Sequence, residues 1–321
     1  MMEENNISNI SDDSGESVSI ISEKSEAFSR KHFLKGKTIG ISISESDNLS
    51  ELGYGVPHLK DAVIEIARYI LALGGKLSYG GDMRQGGFTE LIFDLLAYYK
   101  ADKELQPHER FYNYLAFPLS TLLTEGKMAE QKQNVSFIKV SPPEDIENAN
   151  ASELLRDLTP TKLYVWSRCL TKMREEMEVT CDARIFIGGR TKGFKGKSPG
   201  ILEELLIALE HKHPVYLVGA FGGITKDAIE ALKGNKPISF SNEYYFDNAD
   251  YKNMFAIYNE KHPNTPINLS KYLSTLQSIG LKGIAKQNGL SVEDNLRLTA
   301  TPHISEVVYL ILKGLTKRFT N

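Results

Sequence analysis

The chain is poor in the features that mark a stapled, metal-bound or membrane-embedded protein. It has 2 cysteines in 321 residues, Cys169 and Cys181. Two thiols cannot build a disulfide framework in so long a chain, and with no CxxC pair they do not suggest zinc. Both read as semi-buried apolar thiols. The 7 histidines are scattered, so neither a metal site nor a cofactor is expected. His211 and His213 form an HxH at a helix end, where complement to the helix dipole is the simpler reading. No run approaches the roughly eighteen apolar residues of a membrane span. The opening MMEENNISNISDDSGESVS lacks the basic and apolar stretches of a secretory signal, so a cytoplasmic location is expected. Excess charge of one sign is also missing. The net charge of −3 argues against a DNA binder relying on bulk positive charge.

What is present suits a globular protein. Apolar residues at 41% and a length of 321 allow one large domain or two modest ones. Residues 1–34 are polar and read as a disordered tail, with order beginning near Lys35. Lys37–Ile43 has strand composition, and Ser44–Pro57 reads as a loop. His58–Leu73 has helical apolar spacing and ends at Gly74-Gly75. Lys76–Tyr79 is a short strand before the turn Gly80-Gly-Asp-Met-Arg-Gln-Gly-Gly87 and a helix over Phe88–Tyr99. Strands are predicted near Asn113–Phe117 and Val135–Val140, separated by a polar stretch with breakers, and a short helix within Asn148–Leu158. The second half repeats the logic. A helix spans Tyr164–Thr180, a strand Ala183–Ile187, a helix Gly200–Glu210 opened by Pro199, a strand Pro214–Val218 and a helix Ile224–Leu232. After Lys236 an aromatic, polar segment, Phe240–Phe255, leads into helices near Leu269–Ile279, Ser291–Ala300 and His303–Lys317.

Short apolar strands alternating with amphipathic helices predict an α/β fold. It is a Rossmann-like, doubly wound, mainly parallel sheet with helices on both faces. Residues 35–235 form that domain, and 236–321 a helical C-terminal portion packed on it. Ligands of such sheets bind beyond the carboxyl ends of the strands. Glycine is concentrated there, in Gly80-Gly81, Gly86-Gly87, Gly188-Gly189 and Gly222-Gly223. Missing side chains let backbone amides approach a phosphate, and the next helix N-terminus completes an anion site. The pattern is neither GxGxxG nor GxxxxGK[ST], which argues against an ordinary dinucleotide site or a P-loop.

Candidate ligand contacts are the turn Ser42, Ser44, Glu45 and Ser46, the segment Gly80, Gly81, Asp82, Met83, Arg84, Gly86 and Gly87, and Glu90. From the second half come Gly188, Gly189, Arg190, Gly200, Glu203 and Glu204, with Gly222 and Gly223 on the same edge. The loop GGRTKGFKGKSP carries Arg190, Lys192, Lys195 and Lys197 with no acid, which suits phosphate neutralisation or a plain solvated loop equally. Glu90, Glu203 and Glu204 fall in first helical turns. There they complement the dipole, or face a ribose through hydroxyl bonds or oxocarbenium stabilisation. Arg174 sits at i,i+4 from Glu178. That spacing favours a weak surface ion pair over a phosphate clamp.

A string of motifs resembles a known family. Met173-Arg-Glu-Glu-Met177, Asp182-Ala183, Ile187-Gly-Gly189, Pro199-Gly-Ile-Leu-Glu-Glu204 and Lys212-His-Pro-Val215 follow the order of the LOG phosphoribohydrolases, with their RKxxM, SDA, PGGxGTxxE and KPV-like elements. The wider group is the SLOG superfamily, and the YGGDMRQGGFTE turn looks like its stand-alone bacterial clusters. The resemblance covers roughly Lys37–Leu232. It implies a nucleotide-derived ligand, ADP-ribose-like or cyclic, sensed in a defence or signalling setting with an effector partner, and a dimer. It alternatively implies N-glycosidic hydrolysis of a nucleoside monophosphate. Glu204 then matches the catalytic carboxylate, Glu203 the acid before it, and Gly188, Gly189 and Gly200 the phosphate-binding glycines. The chain departs from the motif. A basic insertion splits PGG from GT, and Ile201 replaces the threonine. The arginine position falls on Met173, with Arg174 one residue on and about 100° away around the helix. A third reading is a structural α/β domain whose glycines only make turns.

Overall fold

The structure, a computed structural model, describes residues 32–81, 86–98, 110–131, 135–147 and 149–320. Among these residues one six-stranded sheet is formed, with every strand pair parallel. The strands are β1 (Thr38–Ser44), β2 (Lys76–Gly80), β3 (Phe111–Ala116), β4 (Ser136–Val140), β5 (Ala183–Gly188) and β6 (Val215–Val218), in the order β4-β3-β2-β1-β5-β6. The fold is therefore the Rossmann-like α/β sheet that the alternation of elements predicts.

Helices cover both faces. They are α1 (Val56–Ala72), α2 (Phe88–Tyr98), α3 (Glu125–Gln131), α4 (Ala151–Leu154), α5 (Pro160–Val179), α6 (Gly200–Glu210), α7 (Gly223–Leu232), α8 (Asn242–Phe246), α9 (Ala249–Lys261), α10 (Leu269–Asn288), α11 (Val292–Ala300) and α12 (Ile304–Phe319). Alternation along the central strands sorts their side chains. Ile39, Ile41, Ile43, Ile185 and Ile187 join one core with α1, α2 and α12. Phe186, Val215 and Leu217 join another with α6, α7 and α10. On that second face β1 presents Gly40 and Ser42, and β5 presents Arg184, all buried. Polar residues inside a buried sheet need partners, and those partners make the site described below.

The C-terminal helices pack on the sheet: α10 and α11 contact β6, and α12 contacts α1. Four local differences separate the structure from the sequence reading. Leu34 is 0% exposed and its N–H donates to the Leu73 carbonyl at 3.1 Å, so packing begins before Lys35. The polar stretch before β4 holds a 3-10 turn, Leu119–Leu122, and α3, which buries no residue and so leaves no periodic apolar signal. Within Phe240–Phe255, Ser241 and Asn248 accept the N–H groups of Tyr244 and Tyr251, capping α8 and α9. Gly280, at φ 57°, interrupts α10 one residue beyond the predicted end, and the chain then resumes helix to Asn288. No described helix is long and apolar enough to cross a membrane.

Candidate functional site

The chain steps from β1 through β4 on one side of the sheet, then returns to place β5 against the other edge of β1. Such a reversal leaves a crevice beyond the strand ends. A cavity of about 240 Å³ opens there, and the ends of three strands contribute to it. Ser42 and Ser44 come from β1, Gly80 and Gly81 from β2 and its turn, and Tyr114 and Ala116 from β3. Met173 and Arg174 of α5, Arg190 and Phe194 of the loop after β5, and Gly200 and Glu204 of α6 complete its walls.

Its charges are fixed from behind. Arg184 is fully buried in β5, directly across from Gly40 in the β1–β5 register. A β-carbon on Gly40 would lie 2.5 Å from the Arg184 Cδ, so the glycine leaves the path along which this side chain runs. The Arg184 guanidinium donates to Ser42 Oγ at 2.6 Å and to Glu204 Oε2 at 2.5 Å, and its other amino group pairs with Glu178. Burial disfavours its charge, but Cys181, Glu178 and Glu204 hold its pKa above the ordinary value. Glu178 also meets His213 Nδ1 at 2.6 Å. Ser42 Oγ in turn donates to Glu204 Oε2 at 2.6 Å.

Arg174 occupies the other flank. It is 7% exposed and pairs with Glu203, while its Nε lies 3.5 Å from Glu204 Oε1 and has no hydrogen-bond partner. Glu203 also accepts from Thr171 Oγ1 at 2.5 Å and meets Lys197 Nζ at 3.4 Å. Burial alone would raise the Glu203 pKa, but Arg174 and Lys197 bring it below the usual carboxylate value. The weak surface pair with Glu178 suggested by i,i+4 spacing is thus corrected. Arg174 turns inward to the α6 glutamates, because Glu178 is taken by Arg184 and His213.

The loop after β5 is clasped to the loop after β1. Asp47 accepts from the N–H and Oγ1 of Thr191, both at 2.7 Å, and from the Lys192 N–H at 3.2 Å. Asn48 accepts the Gly223 N–H at 3.1 Å. Gly188, at φ 66°, starts this turn where a β-carbon would sit 2.6 Å from the Ser44 carbonyl.

Of the residues expected at the ligand, Ser42, Ser44, Gly80, Gly81, Arg174, Arg190, Gly200 and Glu204 line this one cavity. Others stand elsewhere. Glu45 is exposed, and Ser46 donates to the Phe221 carbonyl at 2.6 Å. None of Gly188, Gly189, Gly222 and Gly223 lines the cavity: Gly188 packs on the Ser44 carbonyl, Gly189 on Ile201 and Ile224, Gly222 on Asn48 and Leu52, and Gly223 on the Gly189 carbonyl. Glu203 lies behind Arg174 rather than on the surface of the cavity. Gly86 donates to Glu90, and Glu90 lines a separate depression with Lys127 and Gln131. Gly87 does not line the cavity. Asp82, Met83 and Arg84 lie outside the described residues. In the basic loop, Lys197 is committed to Glu203. Lys192 and Lys195 ride over the rings of Tyr244 and Trp166 at 4.3 and 4.2 Å. Arg190 stands exposed at the cavity rim.

Sequence reasoning missed Arg184 and took Glu178 only as the i,i+4 neighbour of Arg174. The signal was there: an arginine inside the apolar strand Ala183–Gly188, and a glycine in the middle of β1, both unusual in buried strands. Among the described residues no group of three or more His, Cys, Asp and Glu can hold a metal ion. Chemically, the site offers a carboxylate fixed between a hydroxyl and two guanidiniums. Beside it lie glycine-lined strand ends and the first turn of α6, whose leading N–H groups have no partner within the helix.

A six-stranded parallel sheet that reverses its strand order beside β1 defines a Rossmann-like α/β class. Within that class the chain belongs to the SLOG cluster2 family, whose model matches residues 33–298. The family supports a nucleotide-related function. Among solved structures, the X-ray structure of TM1055, a structural-genomics target, is similar over 60% of this chain and 81% of its own. Sequence identity there is 16% and the TM-score is 0.35. No curated protein matches the chain.

Proposed function

We propose that the chain binds a nucleotide-derived ligand, of ADP-ribose or cyclic-nucleotide type, at the carboxyl ends of β1, β2 and β3, and that it acts as a sensor. Binding would be relayed to an effector protein or a second copy in a bacterial defence or signalling setting. One observation carries the reading. Arg174 and Glu204 meet Ser42, Gly81 and Gly200 around a single cavity, with Arg190 at its rim. Arginine and helix N–H groups suit phosphate, and a fixed carboxylate suits ribose hydroxyls. Sensing is favoured over turnover because Glu204 is already engaged. Ser42 and Arg184 occupy one oxygen, and Arg174 faces the other.

The second reading is N-glycosidic hydrolysis. It is favoured by the same meeting of Glu204 and Arg174 in one cavity. Water would add to the anomeric carbon, and the base would leave with a proton. Incubation with nucleoside monophosphates, NAD and ADP-ribose, followed by chromatography, separates the two readings. The sensor reading expects a thermal shift and no free base. A saturating ligand at about 100 times its dissociation constant adds roughly 2.7 kcal/mol. Base released by the wild type and not by Glu204→Gln would instead establish the hydrolase. No shift and no free base with any of these compounds, or with a cyclic nucleotide, would overturn both.

A further inference from the structure

A second cavity, of about 270 Å³, is lined in part by the loop after β5. The two cavities share a wall, Phe194 and Lys195, which line both. The second is built from rings. Phe194 meets Tyr245 and Tyr251 edge to face at centroid distances of 5.4 and 5.3 Å, and Tyr244 meets Tyr245 at 5.1 Å. The buried phenols are occupied, since Tyr245 donates to the Ser239 carbonyl and Tyr251 to the Lys197 carbonyl, both at 2.8 Å. Both are buried, so the lining tyrosine with ring surface to offer is Tyr244. At the rim stand the exposed carboxylates of Asp247 and Asp250. Tyr244 is half-buried, with the exposed Lys192 ammonium over its face at 4.3 Å.

We infer that this cavity takes the base of the ligand whose phosphorylated ribose lies in the first. The inference rests on the nucleotide reading above and adds to it. Aromatic walls accept a planar heterocycle by stacking, which every base offers. The Lys192 ammonium already marks the Tyr244 ring as a face that a cation or π-system can cover, and its exposure lets it give way. Carboxylates at the rim accept from N–H groups, so a base carrying an exocyclic amine is preferred over one that presents carbonyls there. The shared wall makes the two cavities neighbours, so one ligand can fill both by passing over Phe194 and Lys195.

The test uses the full chain and three probes by titration calorimetry: ribose 5-phosphate, AMP and UMP. Wild type is expected to bind AMP at least tenfold more tightly than ribose 5-phosphate, and more tightly than UMP. Tyr244→Leu removes a ring that lines the second cavity alone. It should weaken AMP about 5- to 150-fold, the range for base–aromatic stacking, and leave ribose 5-phosphate within twofold. Tyr244→Phe keeps the ring and should keep the AMP affinity, which excludes a loss through the Tyr244–Thr191 hydroxyl contact. If AMP and ribose 5-phosphate bind alike and Tyr244→Leu changes neither, the base site is overturned and the first cavity stands. If none of the three probes binds, both fall.

Discussion

After β2 the chain turns through Gly80, Gly81, Gly86 and Gly87 into α2, and after β5 it turns through Gly188, Gly189 and a basic loop into α6. Each helix carries acid in its first turn, Glu90 in one and Glu203, followed by Glu204, in the other. In sequence these are equivalent. In the fold Glu90 is exposed and takes the Gly86 N–H, closing its own turn. Glu203 and Glu204 are buried at 2% and 7% exposure and meet arginines from α5 and β5. The same local device is a cap in one place and half of a charge network in the other. What decides is the presence of a buried cation across the strand, and Gly40 is the vacancy that lets that cation in.

The comparison is broken most severely by removing Arg184. Arg184→Leu leaves Glu178 and Glu204 facing each other without their cation. Loss of one partner from a buried pair costs about 3–5 kcal/mol, which urea denaturation reads directly. Next is Gly40→Ala, whose methyl meets the arginine stem. Overpacking of this kind costs about 1–3 kcal/mol, and the variant should also bind nucleotide more weakly than its loss of stability explains. A smaller effect tests the sign of the Glu203 charge. Its pKa is lower folded than unfolded, so it contributes stability above the ordinary value of 4.5 that is lost as the pH falls below it. Glu203→Gln should flatten the acid side of a melting-temperature profile as the pH falls below 4.5. Smallest is Glu90→Gln. Loss of a first-turn carboxylate at an exposed helix start costs about 0.3–1 kcal/mol, with no change in ligand affinity. A larger loss there would place Glu90 in a network too.

The sequence carries the fold through period and punctuation. Isoleucine at 39, 41 and 43, the glycine turns, and Pro199 before α6 are enough to set strands, helices and the end of the sheet where they meet. Half of the site follows from the same signals, because strand ends and helix starts are where ligands of such sheets bind. The other half depends on contacts between residues far apart in the chain. Arg174 reads as a surface residue because its inward partners are 29 and 30 positions away. Asp47 sits in a polar loop like any other, yet it clasps Thr191 at a separation of 144. Gly188 and Gly189 read as phosphate-binding turns and Gly222 and Gly223 as glycines of the same edge, yet in the fold a β-carbon on each would meet neighbouring protein atoms within 2.7 Å. A glycine-rich turn looks alike in sequence whether a ligand or a neighbouring backbone fills its vacancy.

The most direct measurement of where a nucleotide sits is the crystallographic difference density of the full chain soaked with AMP. Phosphate and ribose density between Gly81, Gly200, Arg174 and Glu204, at the carboxyl ends of β1 and β2, is the predicted result. AMP density at the Glu90–Lys127 depression, or on any surface remote from Glu204, would contradict it.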